Sequence, residues 1–153
     1  MKQTKLAIAA FAIGLSGTAS MAETFICELH DARNSGWLPE KLVVQISSDE
    51  TMGQTYDPIT FSTLNGFAPT RVHAENSVRV ELRWKTGRYR NSSEMRSRDR
   101  PSSVPTEIEY RATILRGGNK ILMRAAPDGV RDRFSAKGSC EIVNASINEV
   151  VRR

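Results

Sequence analysis

Few residues in this chain have the type and spacing that chemistry requires. His30-Asp31 is the single neighbouring His–carboxylate pair, and the other histidine is His73. Adjacent residues on a strand point to opposite faces, so His30 and Asp31 cannot share a site there. No Gly-x-Ser-x-Gly elbow accompanies them, and no nucleophile–base pair can be assembled. Two isolated histidines without clustered carboxylates make a poor metal site. Glu107 and Glu109 share one face in a pattern interleaved with arginine, which reads as a surface salt lattice rather than a glycosidase pair. Gly117-Gly118 and Asp128-Gly129 read as turns, not as phosphate cradles or calcium loops. The sequence therefore predicts a non-enzyme with no metal and no cofactor.

The most concentrated chemistry is basic. Lys85 to Pro105 holds six cationic side chains, Lys85, Arg88, Arg90, Arg96, Arg98 and Arg100, against Glu94 and Asp99. With Tyr89 as an aromatic contact, these residues form a candidate arm for an anion or a partner. The competing reading is a solvated flap rich in Ser, Arg and Pro. Anionic lipid head groups, cell-wall polymers and other envelope components, or a partner protein, are the candidate targets. Nucleic acid is not expected, because the chain is expected to be exported.

That expectation comes from the first twenty-two residues. Lys2 and Lys5 precede an apolar stretch from Leu6 to Leu15, and Ser20-Met21-Ala22 offers the small residues of a cleavage site before Glu23. The apolar run is too short to span a bilayer as a helix, which takes roughly 20 residues. No cysteine follows the cut to carry a lipid. A soluble periplasmic product without a transmembrane segment or lipid anchor is predicted. Loss of the two leader lysines lowers the formal charge from +5 to +3, so the high pI says little about nucleic acid.

In an oxidising compartment Cys27 and Cys140, the only cysteines, are expected to pair. Closing so long a loop is worth ~4–5 kcal/mol in the chain-entropy model. A redox or metal-binding role for the thiols has no Cys-x-x-Cys to support it.

The elements that must position these residues are strands. With 153 residues, 39% hydrophobic content and dispersed charge, residues 23–153 read as a single folded all-β domain with the basic loop at 85–105. Val78 to Trp84 alternates apolar and charged residues without a fault, and so does Thr106 to Leu115. After Arg116-Gly117-Gly118-Asn119, whose glycines are expected to supply the positive φ angles of a hairpin, Ile114 should oppose Ile121, Ala112 Met123, and Tyr110 Ala125. Phe134, Ala136, Gly138, Cys140 and Ile142 then point inward. Earlier, Phe25, Cys27 and Leu29 alternate, as do Leu42, Val44 and Ile46. Ile59, Phe61 and Thr63 suggest a third strand and Val72 to Ala74 a fourth. The C-terminal tail alone is expected to form a turn or two of helix.

Seven to nine strands of this length make a small antiparallel barrel, a lipocalin-like meander of about eight strands, or a β-sandwich. The inward phase of both cysteines favours the barrel, with the disulfide clasping the terminal strands. Exposed charges predict a register in which Trp84 aligns with Ile108, Arg83 with Glu109, and Glu81 with Arg111. Leu82, Trp84, Tyr110 and Met123 would wall an interior cavity, with Trp37 as a further anchor, since a barrel of this size can hold one small ligand.

The exported chain, its linked ends and its all-β pattern broadly resemble the small periplasmic barrels that inhibit c-type lysozymes. Their inhibitory segment is Ser-Gly-x-Arg/Lys-Tyr-like, and the nearest stretch here is Thr86-Gly87-Arg88-Tyr89. It lacks the serine and is one residue short, so no function is transferred. Two readings follow: a barrel that binds a small ligand inside or an anionic macromolecule through its loop, and an interaction or inhibitor protein with a filled core.

Overall fold

A computed structural model describes residues 22–31, 33–91 and 104–152. Residues 1–21 of the leader and the loop residues Arg96, Arg98 and Arg100 lie outside them. The chain forms eight antiparallel strands closed into a barrel, each hydrogen-bonded to its neighbours in sequence, the last returning to the first. They are β1 (Glu23–His30), β2 (Lys41–Ile46), β3 (Met52–Tyr56), β4 (Ala68–Glu75), β5 (Arg79–Lys85), β6 (Ile108–Leu115), β7 (Lys120–Pro127) and β8 (Phe134–Val143). Helix α1 (Pro58–Leu64) joins β3 to β4, and α2 (Ile147–Val151) follows β8 and packs on β2 and β3.

Closure depends on β1 and β8. Cys27 stands directly opposite Cys140, and the two form a disulfide. Two residues along, Leu29 faces Gly138, where an added Cβ would lie 1.8 Å from the Glu28 carbonyl oxygen. Only glycine permits the two backbones to come so close. On the far side of β6–β7 the pairs are Ile114 with Ile121, Ala112 with Met123, and Tyr110 with Ala125, as the alternation predicts. Ile142 keeps the inward phase, opposite Phe25, yet is 47% exposed, because β8 runs past its last β7 partner, which pairs with Ser139.

Three expectations are corrected. The segment around Ile59, Phe61 and Thr63 is helix α1, not a strand. Asp57 caps it by accepting the Thr60 N–H at 2.8 Å, Pro58 takes the first helical position, and Asn65 ends it in a left-handed conformation. The third strand is instead Met52–Tyr56, whose inward residues Gly53 and Thr55 carry no apolar signal. Thr55 shares a buried hydroxyl pair with Thr70 of β4 at 2.5 Å.

The β6–β7 turn is a short 3-10 turn over Arg116–Gly118, and its positive φ belongs to Asn119, at 49°, rather than to the two glycines. Arg116 within that turn pairs with Glu23 at 2.8 Å and with Glu75, tying β1 and β4 to one end of the barrel.

The charge-based register is also overturned. Trp84 faces Tyr110, not Ile108, so Arg83 opposes Arg111 and Glu81 opposes Thr113. Glu81 pairs with Arg79 of its own strand at 3.0 Å. Exposed cross-strand charge pairs are worth ~0.2–1 kcal/mol each, less than burial of the large side chains that the interior must accommodate. Buried Thr86 adds a second lock, because its Oγ1 accepts the Ile108 N–H at 2.9 Å.

Closure through β1 and β8 gives a direct test. Replacing Cys27 and Cys140 together by Ala is expected to lower unfolding free energy by ~2–5 kcal/mol in urea titrations. Gly138→Ala is expected to weaken the same seam with the disulfide intact, read as faster amide exchange in β1 and β8 than in β5 and β6.

Candidate functional site

The interior residues come first. Leu82, Tyr110 and Met123 are fully buried and Trp84 is 3% exposed, all within one core cluster with Phe25, Leu42, Ile114 and Trp37. The Trp84 and Tyr110 rings sit 5.3 Å apart in a tilted pair. Both aromatics have their polar ends satisfied, as buried Trp and Tyr require. The Trp84 indole N–H donates to Asp57 Oδ2 at 3.2 Å, and the Tyr110 hydroxyl donates to the Trp37 carbonyl at 2.8 Å. Trp37 closes over that end of the barrel from the β1–β2 loop, against Phe134 and Tyr89.

Asp57 is the functional-looking group that sequence reasoning missed. It is buried, and burial raises its carboxyl above the usual carboxylate range despite hydrogen bonds from Thr60 and Trp84. The same burial, with Asp57 nearby, holds the Tyr110 hydroxyl well above its ordinary value. A buried acid joined to aromatic rings can suggest catalysis, but its oxygens are occupied by a helix cap and an indole. Its signal was available as Asp-Pro, a capping residue followed by a first-turn proline.

The basic loop has an ordered root. Tyr89 and Thr106 exchange two backbone hydrogen bonds of 2.9 Å. Gly87 packs against the Thr63 carbonyl and donates to the Thr63 hydroxyl at 3.0 Å, while Asn91 donates to the Ser35 carbonyl at 2.8 Å. Tyr89 is half-buried with its ring edge-on to Trp37 at 6.0 Å, and burial raises its phenol above the ordinary value. Lys85, Arg88 and Arg90 remain exposed. The root thus separates into a tyrosine that packs and three cations that face water.

His30 and His73 are exposed on different strands, and Glu107, just before β6, and Glu109, within it, are exposed as well. Among the described residues no three His, Cys, Asp or Glu side chains are grouped to hold a metal ion. Both cysteines are in the disulfide. A groove of about 910 Å³ runs outside the barrel between the β1–β2 loop, β8 and α2. Ile26, Leu38 and Val150 give it apolar walls, and Glu28, Asp31 and Glu141 add carboxylates. Among the described residues no helix is long and apolar enough to cross a membrane.

The Asp57 carboxyl makes stability depend on pH with a defined sign. Its folded-state pKa lies above the unfolded one, so its favourable contribution is present below the ordinary carboxylate pKa and is lost as pH rises through the folded value. Asp57→Asn should therefore gain stability relative to the wild type as pH rises from the acid range to neutrality. Asp57→Ala, which strips both the cap and the indole's partner, should lose ~1–3 kcal/mol in the acid range, a deficit that narrows as pH rises because this variant too lacks the titrating carboxyl. Chemical denaturation across that range checks both, and an Asn variant that loses ground with rising pH would refute the assignment.

No family model matches the chain, and no curated protein or solved structure matches it either, so what this barrel does must be argued from its own residues.

Proposed function

We propose that the chain is an exported, periplasmic and non-catalytic barrel that acts as an interaction or inhibitor protein through its outer surface, with an interior devoted to packing. The observation that carries this is the state of Leu82, Trp84, Tyr110 and Met123. They are 0–3% exposed and packed together, and the polar atoms of the two aromatics bond to Asp57 and Trp37 rather than facing a ligand. A carrier would need those same groups to line free space. The disulfide suits an oxidising compartment, and the exposed cations of the loop root suit an anionic macromolecular partner.

Native mass spectrometry on protein purified gently from its host periplasm tests the reading. The expected native mass equals the denatured mass, and the denatured mass corresponds to a chain beginning at Glu23 with one disulfide. Small-molecule mass retained only under native conditions, and retained equally when the surface cations are replaced, would overturn the packed interior and restore a carried ligand. Trp84→Ala should act as a core truncation, costing ~3–5 kcal/mol. Substituting the six loop cations by Ser should leave the melting temperature within a degree or two while abolishing partner capture.

A further inference from the structure

The outer face of the barrel carries a second basic feature, built by register rather than by sequence proximity. Arg71 of β4 stands opposite Arg83 of β5, Arg83 opposite Arg111 of β6, and Arg111 opposite Arg124 of β7. Four arginines thus form one continuous row across four adjacent strands. At about 4.8 Å between neighbouring strands, the row is about 15 Å long. Arg71, Arg111 and Arg124 are exposed and Arg83 is half-buried between its neighbours.

Like charges directly opposite one another destabilise a sheet, and this row sets three such pairs side by side. The core does not require them, because outward positions can take any polar residue. Nor do acids cancel them. Among the described residues none of the four makes a salt bridge. Nearby Glu81 is held by Arg79, and Glu109 faces Lys85. The Arg83 Nε is buried and has no hydrogen-bond partner among the described residues. Shallow depressions flank the Arg111–Arg124 pair, one of about 170 Å³ beside Glu81, Thr113 and Leu122, the other of about 460 Å³ beside Glu109, Arg133 and Ser135. Next to Arg71, β4 shifts register between Val72 and Ala74, a kink of the kind that re-aims side chains at binding surfaces.

We infer that this row is a binding track for a linear acidic polysaccharide, an inference that rests on the surface-binding reading above and names its partner class. Guanidinium forks match carboxylates in a bidentate way, and Arg is the residue suited to that geometry. Curvature selects a chain over a plane. In a closed barrel of eight strands each strand turns the surface by about 45°, so the outer arginines of the row diverge by about 135°. A flat lipid surface reaches two of them at once, whereas a flexible chain wraps all four. Fanned out by that curvature, the arginine heads stand roughly twice the strand spacing apart, so one acidic group per pair of extended sugars keeps pace with the row.

The test uses the full mature chain and short alginate oligomers as the polyuronate probe, with neutral dextran oligomers alongside. Binding is followed by calorimetry over a range of salt. The expected result is alginate binding that weakens with salt, no dextran binding, and a loss of at least about tenfold in Arg83→Gln/Arg111→Gln, with the salt slope smaller by about two. That variant should melt no lower than the wild type, since it relieves repulsion. Lys41→Gln/Arg152→Gln removes the same charge away from the row and should bind nearly as the wild type does. Absence of alginate binding, or equal loss in both double variants, overturns the inference. So does tighter binding of phosphatidylglycerol vesicles or of oligothymidylate through the same arginines. Failure here with a bare native mass rejects the polysaccharide alone, whereas ligand mass that is retained undiminished in Arg83→Gln/Arg111→Gln rejects the surface reading itself.

Discussion

An eight-stranded barrel encloses just enough space for side chains, and filling it without voids or clashes is the constraint on which the rest of this molecule depends. The chain meets it by setting large residues against small ones around the ring. Tyr110 faces Ala125, Ala112 sits between Leu82 and Met123, and Met123 faces Ala136. Gly138 lies between Leu29 and Ile121. Along β6–β7 a slip of two residues either way would set Met123 against Tyr110 or against Ile114, one large side chain against another. The disulfide then holds the seam where this order closes on itself.

Packing within decides what happens outside. Once Trp84 lies against Tyr110, Arg83 must lie against Arg111, and β7 then brings Arg124 into line. The exterior pays a modest electrostatic penalty for a register that the interior selects, since burial of one large apolar side chain outweighs an exposed pair of charges. The position of the row follows from the core, but the identity of its residues does not. A surface free to carry serine or threonine there carries arginine at four successive strands.

The end of the barrel near the basic loop is organised by polar contacts of a different kind. Asp57 joins the start of α1 to the Trp84 indole, Tyr110 reaches the Trp37 backbone, and Trp37 supports Tyr89 at the loop root. Buried polar groups are costly alone and rigid when paired, so this chain of contacts fixes where the loop leaves the barrel. Exposed Lys85, Arg88 and Arg90 are presented from a rigid base. The groove between β8 and α2, by contrast, gathers Glu28, Asp31, Glu40 and Glu141 around a single Lys41.

The all-β class, the strand number and the inward phase of β1, β2, β5, β6 and most of β8 were legible in the sequence because strict alternation is a local signal with one physical cause. The Cys27–Cys140 bridge followed from compartment and phase. Strand β3 was not legible, because Gly53 and Thr55 fill a narrow part of the interior without being apolar, and α1 was misread because Ile59, Phe61 and Thr63 imitate a period of two. Asp57 as a buried cap, the packed state of Leu82, Trp84, Tyr110 and Met123, and the burial of Tyr89 depended on neighbours distant in sequence. So did the arginine row, whose members are spread from Arg71 to Arg124 and meet only through three pairings. The sequence by itself determined which face of each strand is apolar, since that depends on adjacent residues alone. Which strands meet, and at what offset, only the tertiary structure decided, because register is settled by the volume of side chains that come together inside a closed ring.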